Sequence, residues 1–197
     1  MIIKNLIDED FVNYKKPSMF IGTPYCDFKC DRECSKQICQ NSELAAAPSI
    51  EIKPEEIVDR FNSNPITEAI VFGGLEPLYA PEKHIPIFHH FSSIIPQLNE
   101  GTDIVVYTGY YPEEIHYSDF QHWGSMVDSI KGHLIFKFGR FMPDRPSRYD
   151  DVLGVTLASD NQFAFDYSID RGVRYARDYH KLAIEYGKEI RRKAGLI

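Results

Sequence analysis

Ser18-Met-Phe-Ile-Gly22-Thr-Pro-Tyr-Cys26-Asp-Phe-Lys-Cys30-Asp-Arg-Glu-Cys34-Ser-Lys-Gln-Ile-Cys39 holds all four cysteines of a 197-residue chain. Ser18–Gly22 is a short apolar run stopped by Thr23-Pro24, so it reads as a buried strand that gives way to a loop. The cysteines therefore follow the C-terminal end of a strand. A disulfide framework spreads its cysteines to close long loops, whereas a tight cluster points to a metal or redox site. The count leaves two chemistries open. Three thiolates hold an iron–sulfur cube with one open iron, and four close either a cluster or a tetrahedral zinc, whose usual spacings also fit Cys26, Cys30, Cys34 and Cys39.

Outward from this segment, strands and helices alternate. Pro54-Glu55-Glu56 suits a first helical turn, with proline tolerated at the start and acids matching the dipole, and Ile57, Val58 and Phe61 form one apolar face. Residues 69–72 read as a second strand running into Gly73-Gly74, and residues 85–98 as a helix despite Pro86 and Pro96. Asp103–Tyr107 is a third strand closed by Thr108-Gly109, residues 119–130 a helix, and residues 133–138 a fourth strand. This order predicts an α/β fold with right-handed crossovers and a mostly parallel sheet covered by helices. In such sheets functional loops gather at the C-terminal strand ends, where the cysteine loop, Gly73-Gly74 and Thr108-Gly109 all fall. Residues 139–150, rich in Pro, Arg and Asp, read as an ordered loop.

Length and a 43% hydrophobic content fit one domain spanning 1–197. It ends in an amphipathic helix over about 170–193, with Val173, Ala176, Tyr179, Ala183, Tyr186 and Ile190 on one face. The other face carries Arg171, Arg174, Arg177, Lys181, Lys188, Arg191, Arg192 and Lys193, either as a solvated face or as a dock for an acidic partner. A net charge of −7 gives no general attraction to nucleic acid or anionic membrane. Acids at Asp8, Glu9 and Asp10 do not suit a signal peptide, and no run reaches the roughly 20 apolar residues of a span, so a soluble cytoplasmic protein is expected. Absence of a Gly-x-Ser-x-Gly elbow and of a Gly-x4-Gly-Lys-Ser/Thr loop argues against serine hydrolases and P-loop nucleotidases. The seven histidines show no zinc-protease spacing and are expected as surface or core residues.

Cys26-Asp-Phe-Lys-Cys30, followed by Ile38-Cys39-Gln40-Asn41, resembles the Cys-x3-Cys-x2-Cys signature of radical S-adenosylmethionine enzymes. Eight residues separate Cys30 from Cys39 instead of two, so either residues 31–37 are an insertion or Cys34 is the third ligand; the flanking residues favour Cys39. Gly73-Gly74-Leu75-Glu76-Pro77 resembles the Gly-Gly-Glu-Pro motif that holds the amino group of S-adenosylmethionine. Glycines let backbone carbonyls approach a ligand, and a carboxylate pairs with its ammonium. Tyr107-Thr108-Gly109-Tyr110, Phe138-Gly139-Arg140-Phe141 and Ala158-Ser159-Asp160-Asn161-Gln162 are similar in order and context to segments of anaerobic ribonucleotide reductase activases. The resemblance covers about residues 11–162.

The resemblance implies an incomplete parallel β/α barrel binding one [4Fe–4S] cluster and S-adenosylmethionine. Glu76 is expected to hold the ligand's ammonium. An electron from a flavodoxin or ferredoxin then cleaves the sulfonium to methionine and a 5′-deoxyadenosyl radical. In an activase that radical takes a hydrogen atom from a glycine of a large glycyl-radical enzyme. Two other readings stand beside it: a small-molecule enzyme like the 7-carboxy-7-deazaguanine synthases, and a zinc-stabilised binding module. Phe28 is a candidate to pack beside adenine, or plain cover for an apolar edge. Thr108, Tyr110, Asn161 and Gln162 are candidates for ribose or carboxylate contacts, although loop Asn and Gln mostly serve the local backbone.

Overall fold

The computed structural model describes residues 1–168 and 176–197, with nothing said of the Ala176 side chain. Arg171, Val173 and Arg174 of the expected terminal helix lie outside the described residues. The chain runs β1 (Ile2–Ile3), β2 (Asn5–Asp10), β3 (Ser18–Gly22), α1 (Lys29–Cys34), α2 (Ser42–Ala46), β4 (Ile50–Glu51), α3 (Pro54–Ser63) and β5 (Ala69–Gly73). It continues through α4 (Ile87–Ser92), β6 (Asp103–Tyr107), α5 (Tyr117–Ser129), β7 (Leu134–Phe138), β8 (Arg148–Asp150), β9 (Val155–Leu157), β10 (Phe163–Asp166) and α6 (Ala176–Lys193).

A six-stranded sheet in the order β10-β7-β6-β5-β3-β2 forms the centre. Its inner strands β3, β5, β6 and β7 are parallel, as the alternation of strands and helices predicts, and end together in register from Gly22 beside Gly73 onward. The edge strands β2 and β10 are antiparallel and do not pair with each other, so the sheet stays open. Among the described residues no helix is long and apolar enough to cross a membrane.

Side chains alternate across the sheet, and the two faces differ. One presents Ile21, Phe72, Val106 and Phe136 to Phe61 of α3, Phe88 and Phe91 of α4 and Trp123 of α5, a dense aromatic core. Each such buried ring contributes about 1.5–3 kcal/mol. The other presents Val71, Val105 and Ile135 to Tyr14, Leu153 and Leu157, so it is roofed only by residues near 14 and by the β8–β9 hairpin. Tyr14 is pinned there by a 3.0 Å bond from its hydroxyl to buried Asp103, and Tyr107 donates to the Asn13 carbonyl at 2.5 Å.

Three local expectations are corrected. Residues 85–98 are not one helix but α4 followed by a 3₁₀ turn at Ile95–Gln97, because the ring of Pro96 disfavours α geometry before it and removes an N–H. The 139–150 segment is not wholly loop. Its last three residues form β8, held by Asp150, whose carboxylate accepts the N–H groups of Val152 and Leu153 at 3.1 Å and of Ala164 at 3.0 Å. The fifth helix starts at Tyr117, two residues earlier than expected, with the His116 side chain accepting at its N-cap. Along α6, Ala183 and Ile190 are buried as expected, while Lys181, Arg191 and Lys193 of the basic face pair with Asp178, Glu113 and Glu189.

Candidate functional site

The cysteine segment leaves β3 where Thr23 donates both its N–H (2.9 Å) and its hydroxyl (3.1 Å) to the Gly73 carbonyl, which fastens the loop to the end of β5. Phe28 then reverses the chain with φ +50°, its N–H resting on Cys26 Sγ at 3.3 Å. Asp31 caps the excursion of residues 31–37 by accepting the N–H groups of Ile38 and Cys39, both at 2.9 Å, on Oδ1. Charge-assisted bonds of this kind are about twice as strong as neutral ones. As a result Cys26, Cys30 and Cys39 line one cavity of about 500 Å³, and Cys34, at the far end of α1, does not. Burial pushes the Cys26 thiol up to about 12 and raises Cys30 as well.

Gly73 ends β5, and Gly74 turns the chain with φ +80°. A β-carbon there would meet Leu44 Cδ2, so the glycine serves both conformation and close packing. The turn delivers Glu76, 4% exposed, into the cavity. Its carboxylate accepts from Thr108 Oγ1 (2.8 Å), Leu78 N (3.1 Å) and Gly109 N (2.8 Å). Burial raises its pKa to about 7 against the pull of these donors. Pro77 is buried behind it, its carbonyl accepting from Phe88 N–H. A β-carbon on Gly109 would lie 3.6 Å from Glu76 Oε2 and 3.8 Å from Cys30 Sγ, which puts thiol and carboxylate close to the same glycine.

Thr108 thus positions Glu76, and its Oγ1 also accepts from Tyr110 N at 3.0 Å. The Tyr110 ring lines the cavity beneath Lys29, whose ammonium sits 5.5 Å from the ring centroid. Phe28 is absent from the lining, and its place is the turn itself. Asn161 also lies outside it, spending its amide on the Arg140 carbonyl (2.8 Å) and the Tyr111 hydroxyl (3.2 Å). Gln162 reaches the lining but is tied to Gly139 O and Ser159 N, the local service that loop amides commonly perform.

Two site residues were not expected. Lys137 of β7 lines the cavity, buried, with its ammonium donating, among the described residues, only to the Gly139 carbonyl at 2.8 Å; burial lowers its pKa to about 8. A lone Lys within the apolar run Leu134–Phe138 was the available signal, since period 2 puts it on the face opposite Phe136 and Phe138. Arg140, 5% exposed, joins three segments around the cavity rim. It donates to Glu114 (2.6 Å) and to Gly109 O (3.3 Å), covers the Tyr111 ring at 4.8 Å, and lies 3.0 Å from Glu33 of α1 without hydrogen-bond alignment.

Among the described residues no group of three or more His, Cys, Asp or Glu converges on one metal-ion position. Cys26, Cys30 and Cys39 line one cavity without that convergence, and Glu76 and Lys137 line it beside them. No family model matches the chain, and neither curated proteins nor solved structures give a significant match.

Proposed function

We propose that this chain is a cytosolic radical S-adenosylmethionine enzyme whose open sheet acts as a partial β/α barrel. The observation that carries the reading is the single cavity at the C-terminal ends of β3, β5 and β6, lined by Cys26, Cys30, Cys39 and Glu76 while Cys34 stays outside. Three thiols suit a cube with one open iron; a closed tetrahedral zinc would need a fourth protein ligand beside them. Cys26, Cys30 and Cys39 would hold the [4Fe–4S] cluster. When bound, the cluster would supply reductive cleavage chemistry, passing one electron from an external reductant to the sulfonium of S-adenosylmethionine.

The protein's own side chains account for recognition of that ligand. Glu76, fixed by three donors, presents its carboxylate to the ammonium, and a cation nearby favours its charged form. Lys137, a buried cation with no carboxylate bonded to it among the described residues, is matched to the ligand's carboxylate. Tyr110 and Phe20 supply aromatic wall.

The hydrogen donor in this reading is a glycine of a glycyl-radical enzyme such as an anaerobic ribonucleotide reductase, with flavodoxin or ferredoxin as reductant. Strictly anaerobic purification followed by iron and sulfide analysis tests it. About four irons per chain and 5′-deoxyadenosine on reduction are expected, with a glycyl radical in paramagnetic resonance once the partner is added. One zinc without sulfide would establish the binding-module reading instead.

A further inference from the structure

We propose that the free edge of β9 is a docking strand, on which an extended polypeptide adds by main-chain hydrogen bonds and so enters the cavity. This rests on reading the cavity as a radical site, and it assigns how the substrate segment is held.

Residues Val155, Thr156, Leu157 and Ala158 all line the cavity. Side chains of a strand alternate, so one side-chain face of β9 cannot present Val155, Thr156 and Leu157 all to the same space. The cavity therefore meets the backbone edge. β9 pairs with β8 on its other edge alone, through Arg148 to Leu157, Tyr149 to Thr156 and Asp150 to Val155. Among the described residues, no backbone N–H or carbonyl of 155–158 bonds to anything besides β8. Thr156 and Ala158 are exposed, leaving the edge open to an incoming chain. Unpaired edges of this kind are templates for strand addition.

The surroundings suit a peptide. Val12 lines the same cavity, and with its neighbour Phe11 it is held out into solvent at 75% and 63% exposure. Asp10 fixes that tip by accepting the Asn13 N–H at 3.2 Å and its side-chain amide at 3.0 Å. A free strand edge with exposed apolar side chains nearby suits the alternating side chains of an extended segment. The same cavity reaches Cys30 and Glu76, so a residue carried on the added strand comes to the radical's side.

The test uses the full chain and a capped synthetic peptide of alternating Val and Thr about a central glycine. Two versions carry N-methyl groups, each on one of the two alternating sets of amides, and so each blocks bonding along one edge of the peptide without altering the protein. The unmodified peptide is expected to bind and to slow hydrogen exchange at 155–158. One methylated version should lose affinity about tenfold or more, as two lost main-chain bonds imply, and the other should lose little. Equal affinity for all three peptides, binding without protection at 155–158, or no binding overturns the proposal. Binding and exchange need no cluster, so their failure is separable from failure to form 5′-deoxyadenosine, which tests the radical reading alone.

Discussion

Asp31 Oδ1 accepts the backbone N–H of Cys39 at 2.9 Å, closing an eight-residue interval so that Cys39 returns to the cavity that Cys30 already lines. The same oxygen holds Ile38, so the returning strand is gripped at two successive residues. Asp31→Ala removes both bonds and leaves Cys39 free to wander. Iron bound per chain after anaerobic reconstitution should fall at least twofold in that variant, and Asp31→Asn, which keeps an acceptor oxygen, should recover most of it. Full iron content in Asp31→Ala would separate Cys39 from the site.

The two candidate third ligands give opposite results. Cys39→Ala should lose nearly all iron and sulfide, whereas Cys34→Ala should bind them as the parent does, because Cys34 is outside the cavity. Metal analysis of both proteins decides between them. A colourless Cys34→Ala protein would refute the assignment.

Glu76 makes stability depend on pH in a defined window and, in the proposed function, ligand binding as well. Its folded pKa of about 7 lies above the ordinary value, so the native state binds more protons than the unfolded state between about 4.5 and 7. Stability contributed by this group is complete below that window and is lost as pH rises through it, by about 3 kcal/mol in all. Denaturant titrations across the range should show the decline, and Glu76→Gln should flatten it. Affinity for S-adenosylmethionine should run the other way, falling below pH 7 as the carboxylate becomes protonated.

Lys137 opposes folding, and in the proposed function it pairs with the ligand's carboxylate. Its pKa, lowered to about 8, means that the unfolded state binds the extra proton between about 8 and 10.5, so stability rises with pH there. At pH 7 the buried charge costs about 3 kcal/mol before its bond to Gly139 is counted. Lys137→Met should accordingly raise unfolding stability by about 1–3 kcal/mol and weaken S-adenosylmethionine at least tenfold, read by denaturation and calorimetric titration. Unchanged affinity would remove Lys137 from the site.

Gly74→Ala should destabilise the chain by about 1–3 kcal/mol, since φ +80° disfavours any β-carbon and Leu44 occupies its position. Adding Leu44→Ala relieves only the overlap. The denaturation midpoint of the double variant should fall between those of Leu44→Ala alone and Leu44→Ala with the full Gly74→Ala penalty.

Much of the frame was readable from local pattern. The apolar runs at 18–22, 69–72, 103–107 and 133–138 are too short for helices and are set off by Gly, Pro or polar residues, so they became the four parallel strands. The antiparallel edges were harder to see. β2 reads Asn-Leu-Ile-Asp-Glu-Asp, an acidic stretch whose pairing with β3 depends on a neighbour and not on its own composition. The hairpin of β8 and β9 was hidden for a similar reason, because Asp150 organises it through contacts to Val152, Leu153 and Ala164.

For the site, residue types and spacing were enough to nominate the cysteines, Glu76 and Thr108, because Cys26, Glu76 and Thr108 fall just beyond strand ends and the other cysteines cluster after the first. Which cysteines share a cavity, and that Asn161 and Phe28 stay out of it, followed only from the folded chain. The sequence by itself determined the strand and helix order and the chemistry on offer, since both follow from periodicity and side-chain type. Tertiary structure alone decided that Lys137 faces Cys30 and Glu76 and that Arg140 binds Glu114, because burial and distance between residues far apart in the chain exist only once the sheet brings its strand ends together.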